Sequence, residues 1–400
     1  CWWIEPEGRR ICNYSTYTYS LMTRKLPRSV DMLDTFYGMR FIMRVAFDVP
    51  IVDGKVTNDF RIQRALPTIL YLIEKGARVI LLTHVGRDPH NSTKPILSVL
   101  EKYVPVRYVD AVVGEKVEGA ITHMKEGTVL LLENVRSEAG EEGNDDDLAR
   151  TIASYGNFYV NEAFAVAHRN HSTVVTLPKY LPNFAGFDFL HEVTELSKAL
   201  MPAHPSLFIL GGAKFETKAP LIAQYVNQYT TTFIGGALAN DFLKGKGYEV
   251  GTSLTSSVSL AGNPLLEKDN VLTPTEVVVD GKNGVRTVPS NEVGVEDTIF
   301  DVGLSTLESL RPHIESAKTI LWNGPLGNYE AGFDAGTKKC AEYIAHSDAF
   351  SIVGGGDTVA AIESLGLMES FSFISTGGGA MLDFLEKGTL PALEALTPRS

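Results

Sequence analysis

Cations recur in the first half of the chain wherever an apolar run has just ended. Arg61 follows the run 41–49, His84 and Arg87 follow 78–82, Arg136 follows 128–132, and His168, Arg169 and His171 follow 157–160. A guanidinium is a planar fork that matches carboxylate or phosphate oxygens in pairs. Several forks gathered on one rim would suit a small molecule with more than one negative group. The plain alternative is a set of solvated arginines paired with nearby acids, and for any one of them it is the simpler reading. Four loops at equivalent positions favour the anion pocket.

Glycines do the same in the second half. Leu210 leads into Gly211-Gly212-Ala213-Lys214, and Ile234 into Gly235-Gly236. Trp322 leads into Asn323-Gly324-Pro325-Leu326-Gly327, Val353 into Gly354-Gly355-Gly356-Asp357-Thr358, and Ser375-Thr376 into Gly377-Gly378-Gly379. Glycine lets backbone come close to a ligand, and amides at a helix start bind anions. The alternative is tight packing of Gly-rich turns. Five such turns favour nucleotide phosphates. Asp357 suits magnesium, which takes few carboxylates and keeps waters and phosphate oxygens. Local sequence supports a plain helix cap at Asp357 equally well. Lys214 and Lys218, four apart, would share a helix face and repel unless they share an anion.

The elements that hold these groups alternate. Apolar runs at 41–49, 78–82, 106–109, 128–132 and 157–160, then at 206–210, 231–234, 276–279, 319–322, 350–353 and 371–374, are separated by helical periods. One such period holds Ile62, Ala65, Leu66, Ile69, Leu70 and Ile73, with Pro67 implying a kink or a late start. Asp145, Asp146 and Asp147 precede Leu148 and Ile152, acid at a helix start. The pattern predicts α/β architecture: two doubly wound parallel sheets, joined by the periodic segment 190–200. Ligands in such sheets bind outside the carboxyl ends of the strands, where these cations and glycines fall.

Bulk properties agree. The chain has 400 residues, enough for two domains, with 44% hydrophobic and 21% charged residues. A net charge of −12 argues against a general nucleic-acid binder but allows a local basic pocket. Three cysteines, Cys1, Cys12 and Cys340, lack CxxC spacing, so no disulfide framework or zinc site is expected and a reducing cytoplasm is the natural setting. No apolar stretch reaches the roughly 18 to 20 residues of a membrane span. Residues 1–21 show neither a signal-peptide pattern nor a hydrophobic period and are expected to be an extension, disordered or non-native, reaching to about residue 33. Met22 and Met32 are candidate starts.

The motifs RVAFDVP (44–50), HVGR (84–87), LENVR (132–136), NEAF (161–164), HRNHS (168–172), GGAK (211–214), WNGP (322–325), GGGDT (354–358) and STGGG (375–379) together resemble phosphoglycerate kinase, in that family's order and over about residues 33–390. The resemblance implies two Rossmann-like domains joined by a helical hinge. Residues 34–187 with 380–400 would bind 3-phosphoglycerate or 1,3-bisphosphoglycerate, and residues 188–379 would bind ADP or ATP with Mg2+. It implies that Asp48, Arg61, His84, Arg87, Arg136 and Arg169 hold the acid. Lys218, Asn323, Glu330, Gly355, Gly356, Asp357 and Thr358 would hold the nucleotide, with Asp357 on the metal. Arg61, Lys214 and the amides at Gly378 would stabilise the travelling phosphoryl group. A monomer that closes its cleft is also implied.

Departures matter. Where the family usually reads RVDFN, this chain has Ala46 and Asp48, which removes one hydrogen bond to the acid and adds a negative charge. Weaker acid binding is expected, and restoring Asp at 46 and Asn at 48 is expected to lower the Michaelis constant. Glu162, Ala165 and Val166 are milder departures, expected to be structural. A Rossmann dehydrogenase would need GxGxxG after an early strand, and a P-loop kinase GxxxxGK[ST]; neither occurs. A non-catalytic relative that only binds nucleotide would not need Arg61, Lys214, Lys218 and Asp357 together.

Overall fold

The computed structural model describes residues 26–213 and 215–396, with only the backbone at Thr217. Lys214, residues 1–25 and residues 397–400 lie outside the described residues. The last part of the expected extension, residues 26–33, is described and ordered against the first unit: Val30 is fully buried and Ala185 N donates to Arg28 O at 2.8 Å, so the extension does not reach residue 33. The chain divides into two units: residues up to Val193 with those from Lys387 onward, and Thr194–Glu386.

The first unit holds β1 (Arg40–Val45), the short hairpin β2 (Ile51–Val52) and β3 (Lys55–Val56), then β4 (Arg78–Leu82), β5 (Val106–Val109), β6 (Val129–Leu132), β7 (Phe158–Glu162) and β8 (Asn183–Ala185). Six of these form one sheet in the order β5-β6-β4-β1-β7-β8, every neighbour parallel. The helices α1 (Phe60–Glu74), α2 (Lys94–Leu100), α3 (Glu115–Thr122), α4 (Asp146–Ala153) and α5 (Phe187–Ala199) connect or follow the strands. Strands covered on both faces must be apolar throughout, which is why β4 and β6 read as continuous Val/Ile/Leu runs. Their side chains join Ile62, Leu66, Ile69 and Leu72 of α1 in the unit's main core. Helix α1 starts at Phe60 and runs unbroken past Pro67, whose ring lies on the exposed side and leaves the buried face intact. Asp145 caps α4, its carboxylate accepting from Leu148 N at 2.7 Å.

The second unit has β9 (Ser206–Leu210), β10 (Thr231–Ile234), β11 (Val271–Leu272), β12 (Glu276–Asp280), β13 (Arg286–Pro289), β14 (Thr298–Val302), β15 (Thr319–Asn323), β16 (Phe350–Gly354) and β17 (Phe373–Ile374). A second parallel sheet runs β11-β10-β9-β15-β16-β17. Helices α6 (Phe215–Gln228), α7 (Leu238–Gly245), α8 (Leu304–Ser316), α9 (Ala335–Ala345), α10 (Gly356–Ser364) and α11 (Gly379–Lys387) accompany it. A last helix, α12 (Pro391–Leu396), belongs to the first unit, where Ala392 N donates to Ala167 O at 3.0 Å. The run 276–279, expected in the main parallel series, instead forms the middle of a separate antiparallel sheet, β13-β12-β14. Its alternating burial shows why. Val277 and Val279 pack inward with Val293 as a small core of their own, and the residues between face outward.

Candidate active site

In the first unit, β6, β4, β1 and β7 are consecutive neighbours, so the loops after them share one rim. Those loops carry Arg136, His84 and Arg87, Ala46 and Asp48, and Arg169. The backbone of Gly86 is the meeting point. Its N–H donates to Asp48 Oδ1 at 2.8 Å, and its carbonyl accepts from Arg136 Nη1. Arg61, from the first turn of α1, donates to Asp48 O at 2.6 Å. His84 Nε2 lies 3.6 Å from Asp48 Oδ2. Gly86 sits at φ +65°, a conformation side chains resist, which lets the peptide face both partners.

Asn134 braces this rim from β6. Its Nδ2 donates to Val85 O at 3.1 Å and Asn91 O at 2.8 Å, while its Oδ1 accepts from Arg136 N. Glu133 fastens the same loop, accepting from Thr93 N, Ser92 Oγ and Tyr108 Oη.

Charge crowding is severe. Burial, followed by the charges of Arg44, Arg136, Arg169 and His171, drives the His84 imidazole far below its ordinary value, so it is neutral. Burial, with Arg44 and Arg169, pushes His171 down to about 4. Burial and Arg169 lower the Arg136 guanidinium. Arg136 pairs with Glu142 at 2.9 Å, whereas Arg169 and Arg87 have no carboxylate partner among the described residues. The paired-surface reading therefore fits Arg136 and does not fit Arg87 or Arg169.

Two residues that pack behind this rim were not singled out from the sequence. Arg44, within a quoted motif but given no role, is buried at the end of β1. Glu141, which lies in none of the quoted motifs, is fully buried and lies 3.9 Å from Arg44 Nη2. Glu162 bears out the structural expectation. Its carboxylate accepts from Thr68 Oγ1 at 2.5 Å and from Asp188 N and Phe189 N at 3.1 Å, tying α1 to the start of α5. Burial, followed by nearby Asp188, raises it well above the ordinary carboxylate range.

In the second unit, Leu210, Asn323 and Gly354 stand in register across β9, β15 and β16, so their loops also share a rim. The glycines there divide into two classes. At Gly211, Gly324 and Gly236 a Cβ would run into the backbone of a neighbouring loop: Gly324 against Gly211 O at 2.6 Å, Gly236 against Gly212 N at 2.5 Å. Gly211 N donates to Asn323 O at 2.9 Å and Gly212 N to Pro325 O at 2.8 Å. These glycines serve packing, as the plainer reading had it. At Gly356 and Gly378 a Cβ would meet nothing, and there the backbone faces open space. Gly355 (φ +106°) immediately precedes α10, and Gly378 (φ +38°) immediately precedes α11.

Lys218 donates to Gly211 O at 2.6 Å and is pushed down to about 8 by burial. Asn323 is buried beside Met381 Sδ, 3.8 Å from its Nδ2. Glu330 is exposed on the turn Tyr329–Ala331. Gly355, not Asp357, occupies the cap position of α10, so the plain-cap reading of Asp357 falls. The Asp357 carboxylate is exposed and makes no hydrogen bond or ion pair among the described residues. Beside it, the buried Thr358 Oγ1 has no partner among them either. No cluster of three or more His, Cys, Asp or Glu side chains occurs among the described residues. A lone free carboxylate beside an unsatisfied hydroxyl fits Mg2+, which completes its shell with water and phosphate oxygens.

A family model described as phosphoglycerate kinase matches residues 30–388. The chain belongs to the phosphoglycerate kinase family. The phosphoglycerate kinase of Methylorubrum extorquens strain PA1 is 41% identical over 396 residues, covering 92% of this chain and 98% of that protein. That of Fervidobacterium nodosum is 41% identical over 394 residues, covering 90% and 96%. Among solved structures, phosphoglycerate kinase from Coxiella burnetii aligns with a TM-score of 0.79 at 35% identity, covering 93% of this chain and 99% of that one. The enzyme from Pyrococcus horikoshii gives 0.80 at 30%, covering 92% and 98%. Phosphoglycerate kinase membership accounts for the two-sheet architecture and for most of the chain, and residues 1–29 lie outside the matched range.

Proposed function

We propose that this member of the phosphoglycerate kinase family catalyses reversible phosphoryl transfer between 1,3-bisphosphoglycerate and ADP, giving 3-phosphoglycerate and ATP in glycolysis and gluconeogenesis. The observation that carries this reading is the cation rim of the first unit, where Arg61, His84 and Arg136 meet on Asp48 and Gly86 with Arg169 beside them. An assay coupled to ADP formation from ATP and 3-phosphoglycerate tests it directly. Absence of ADP formation with purified full-length chain and Mg2+ would overturn it.

Phosphoryl transfer asks little covalent chemistry of a protein. It asks for in-line positioning and for positive charge on the transferred oxygens. Asp48, Arg61, His84, Arg87, Arg136 and Arg169 would hold the acid. Lys218, Asn323, Glu330 and Gly355–Thr358 would hold the nucleotide, with Glu330 near the ribose. Arg61, Lys214 and the amides at Gly378 would meet the charge that develops on the transferred group. Asp357 would hold Mg2+, which neutralises phosphate charge when bound. The reading includes a monomer in the cytoplasm whose substrates are brought together by closure that expels water.

Two outcomes follow. Burial lowers Lys218 to about 8 in the free protein, so its ammonium is lost as pH rises through that value. Nucleotide phosphates favour its ammonium form, so affinity for ADP should be highest below that pH and fall as pH rises through it. Calorimetric titrations from about pH 6.5 to about pH 9.5 read this, and Lys218→Met should flatten the profile. Ala46→Asp restores one acceptor for the acid. It should lower the Michaelis constant for 3-phosphoglycerate by about two- to tenfold, the worth of one hydrogen bond. A constant or rising value would show that Ala46 is not a lost contact.

A further inference from the structure

Five side chains, Glu141, Thr173, Arg44, His84 and Asp48, at or beyond the carboxyl ends of the neighbouring strands β6, β4, β1 and β7, form a continuous line behind the cation rim. Glu141 is fully buried and accepts from Thr173 N at 2.9 Å and Thr173 Oγ1 at 2.6 Å. Arg44 donates through Nε to Thr173 Oγ1 at 2.9 Å and through Nη1 to Val45 O at 2.6 Å, while Nη2 faces Glu141 Oε1 at 3.9 Å. The same Nη2 lies 3.4 Å from His84 Nδ1. On its far side, His84 Nε2 faces Asp48 Oδ2 at 3.6 Å.

A guanidinium has no lone pair to offer, so this contact exists only if His84 Nδ1 is the acceptor. A neutral imidazole with an accepting Nδ1 carries its proton on Nε2. That N–H then points toward the Asp48 carboxylate, which can only accept. Both neighbours therefore select the same tautomer. Arg44 can do this only because Thr173, Val45 and Glu141 fix its orientation.

We infer that Glu141 is a positioning residue that, through Arg44 and in concert with Asp48, holds His84 as a fixed Nε2–H donor. The imidazole is thus a directed neutral donor among guanidinium groups and does not take part as a base. Arg44, Arg136 and Arg169 face it with positive charge, opposed by Asp48 and by Glu141 behind Arg44. An added imidazolium would only increase the repulsion that an anion must relieve. Any consequence for 3-phosphoglycerate binding rests on the proposed kinase reading; the tautomer itself does not.

Long-range proton–nitrogen NMR of the 15N-histidine-labelled full chain, without substrate, tests this. His84 is assigned by the signals lost in His84→Gln. Nδ1 should appear as an unprotonated acceptor and Nε2 as protonated, unchanged from about pH 5 to about pH 8. In Glu141→Gln, the two tautomers should mix, and the Michaelis constant for 3-phosphoglycerate should rise about tenfold with turnover within about twofold. A wild-type His84 protonated on Nδ1, or titrating with an ordinary midpoint, overturns the inference. So does a folded Glu141→Gln with the ring signals of wild type. Failure of the kinase assay alone leaves the ring signals to decide, and the wild-type spectrum needs no variant to fold.

Discussion

Replacing Lys214 with alanine should lower turnover by roughly two to three orders of magnitude while leaving nucleotide affinity within about tenfold. The reason lies in when the charge is needed. A group that touches the phosphoryl only in transit stabilises the transition state and little else, so its loss appears in kcat. Lys218→Ala should behave in the opposite way. Its ammonium is held in place by Gly211 O and is partly desolvated, so in the proposed reading it contacts the nucleotide in the ground state as well as in transit. Affinity for ADP should fall by about tenfold or more, with a smaller change in kcat at saturation. Steady-state kinetics with direct nucleotide titration of both variants separates these roles. Near-normal turnover in Lys214→Ala would remove Lys214 from the mechanism.

The other large effect is structural. Gly236→Ala should destabilise the second unit by about 2–4 kcal/mol and abolish tight nucleotide binding. The new Cβ would stand 2.5 Å from Gly212 N and 2.8 Å from both Gly212 O and Pro325 O, and the residue sits at φ +60°. Every colliding atom is backbone, so no side chain can swing aside. The loops that must retreat are those after β9 and β15, which frame Lys218 and Asn323. Gly356→Ala is the control. Its Cβ would meet nothing within 4 Å, so stability should stay close to wild type while nucleotide affinity drops. Thermal unfolding with and without ADP measures both. Equal melting of Gly236→Ala and wild type would show that these loops are not packed as described.

Much of this was legible before any coordinates. Strands such as β4 and β9 are buried on both faces, so their apolar runs coincide with the elements to the residue. The run 276–279 misled because its three consecutive valines look alike in a central parallel strand and in a one-sided antiparallel one. Edge strand β8 is three residues long and left no signal. At the site, residue type identified the cations but not their partners. Arg44 and Glu141 are over 90 positions apart in sequence, and burial of an ion pair has no local signature. Glycine positions were visible, whereas the division between packing glycines and open ones depends on which loops lie opposite.

The second unit is inserted within the first. Helix α12 leaves the ribosome only after every residue of Thr194–Glu386, yet it completes the surface around the turn Ser172–Thr176, where Ala392, Leu393 and Leu396 are buried. The nascent chain therefore finishes its later-made half before its earlier one. Until then the older half carries an uncovered apolar flank, the kind of surface that chaperones hold and neighbouring chains adhere to.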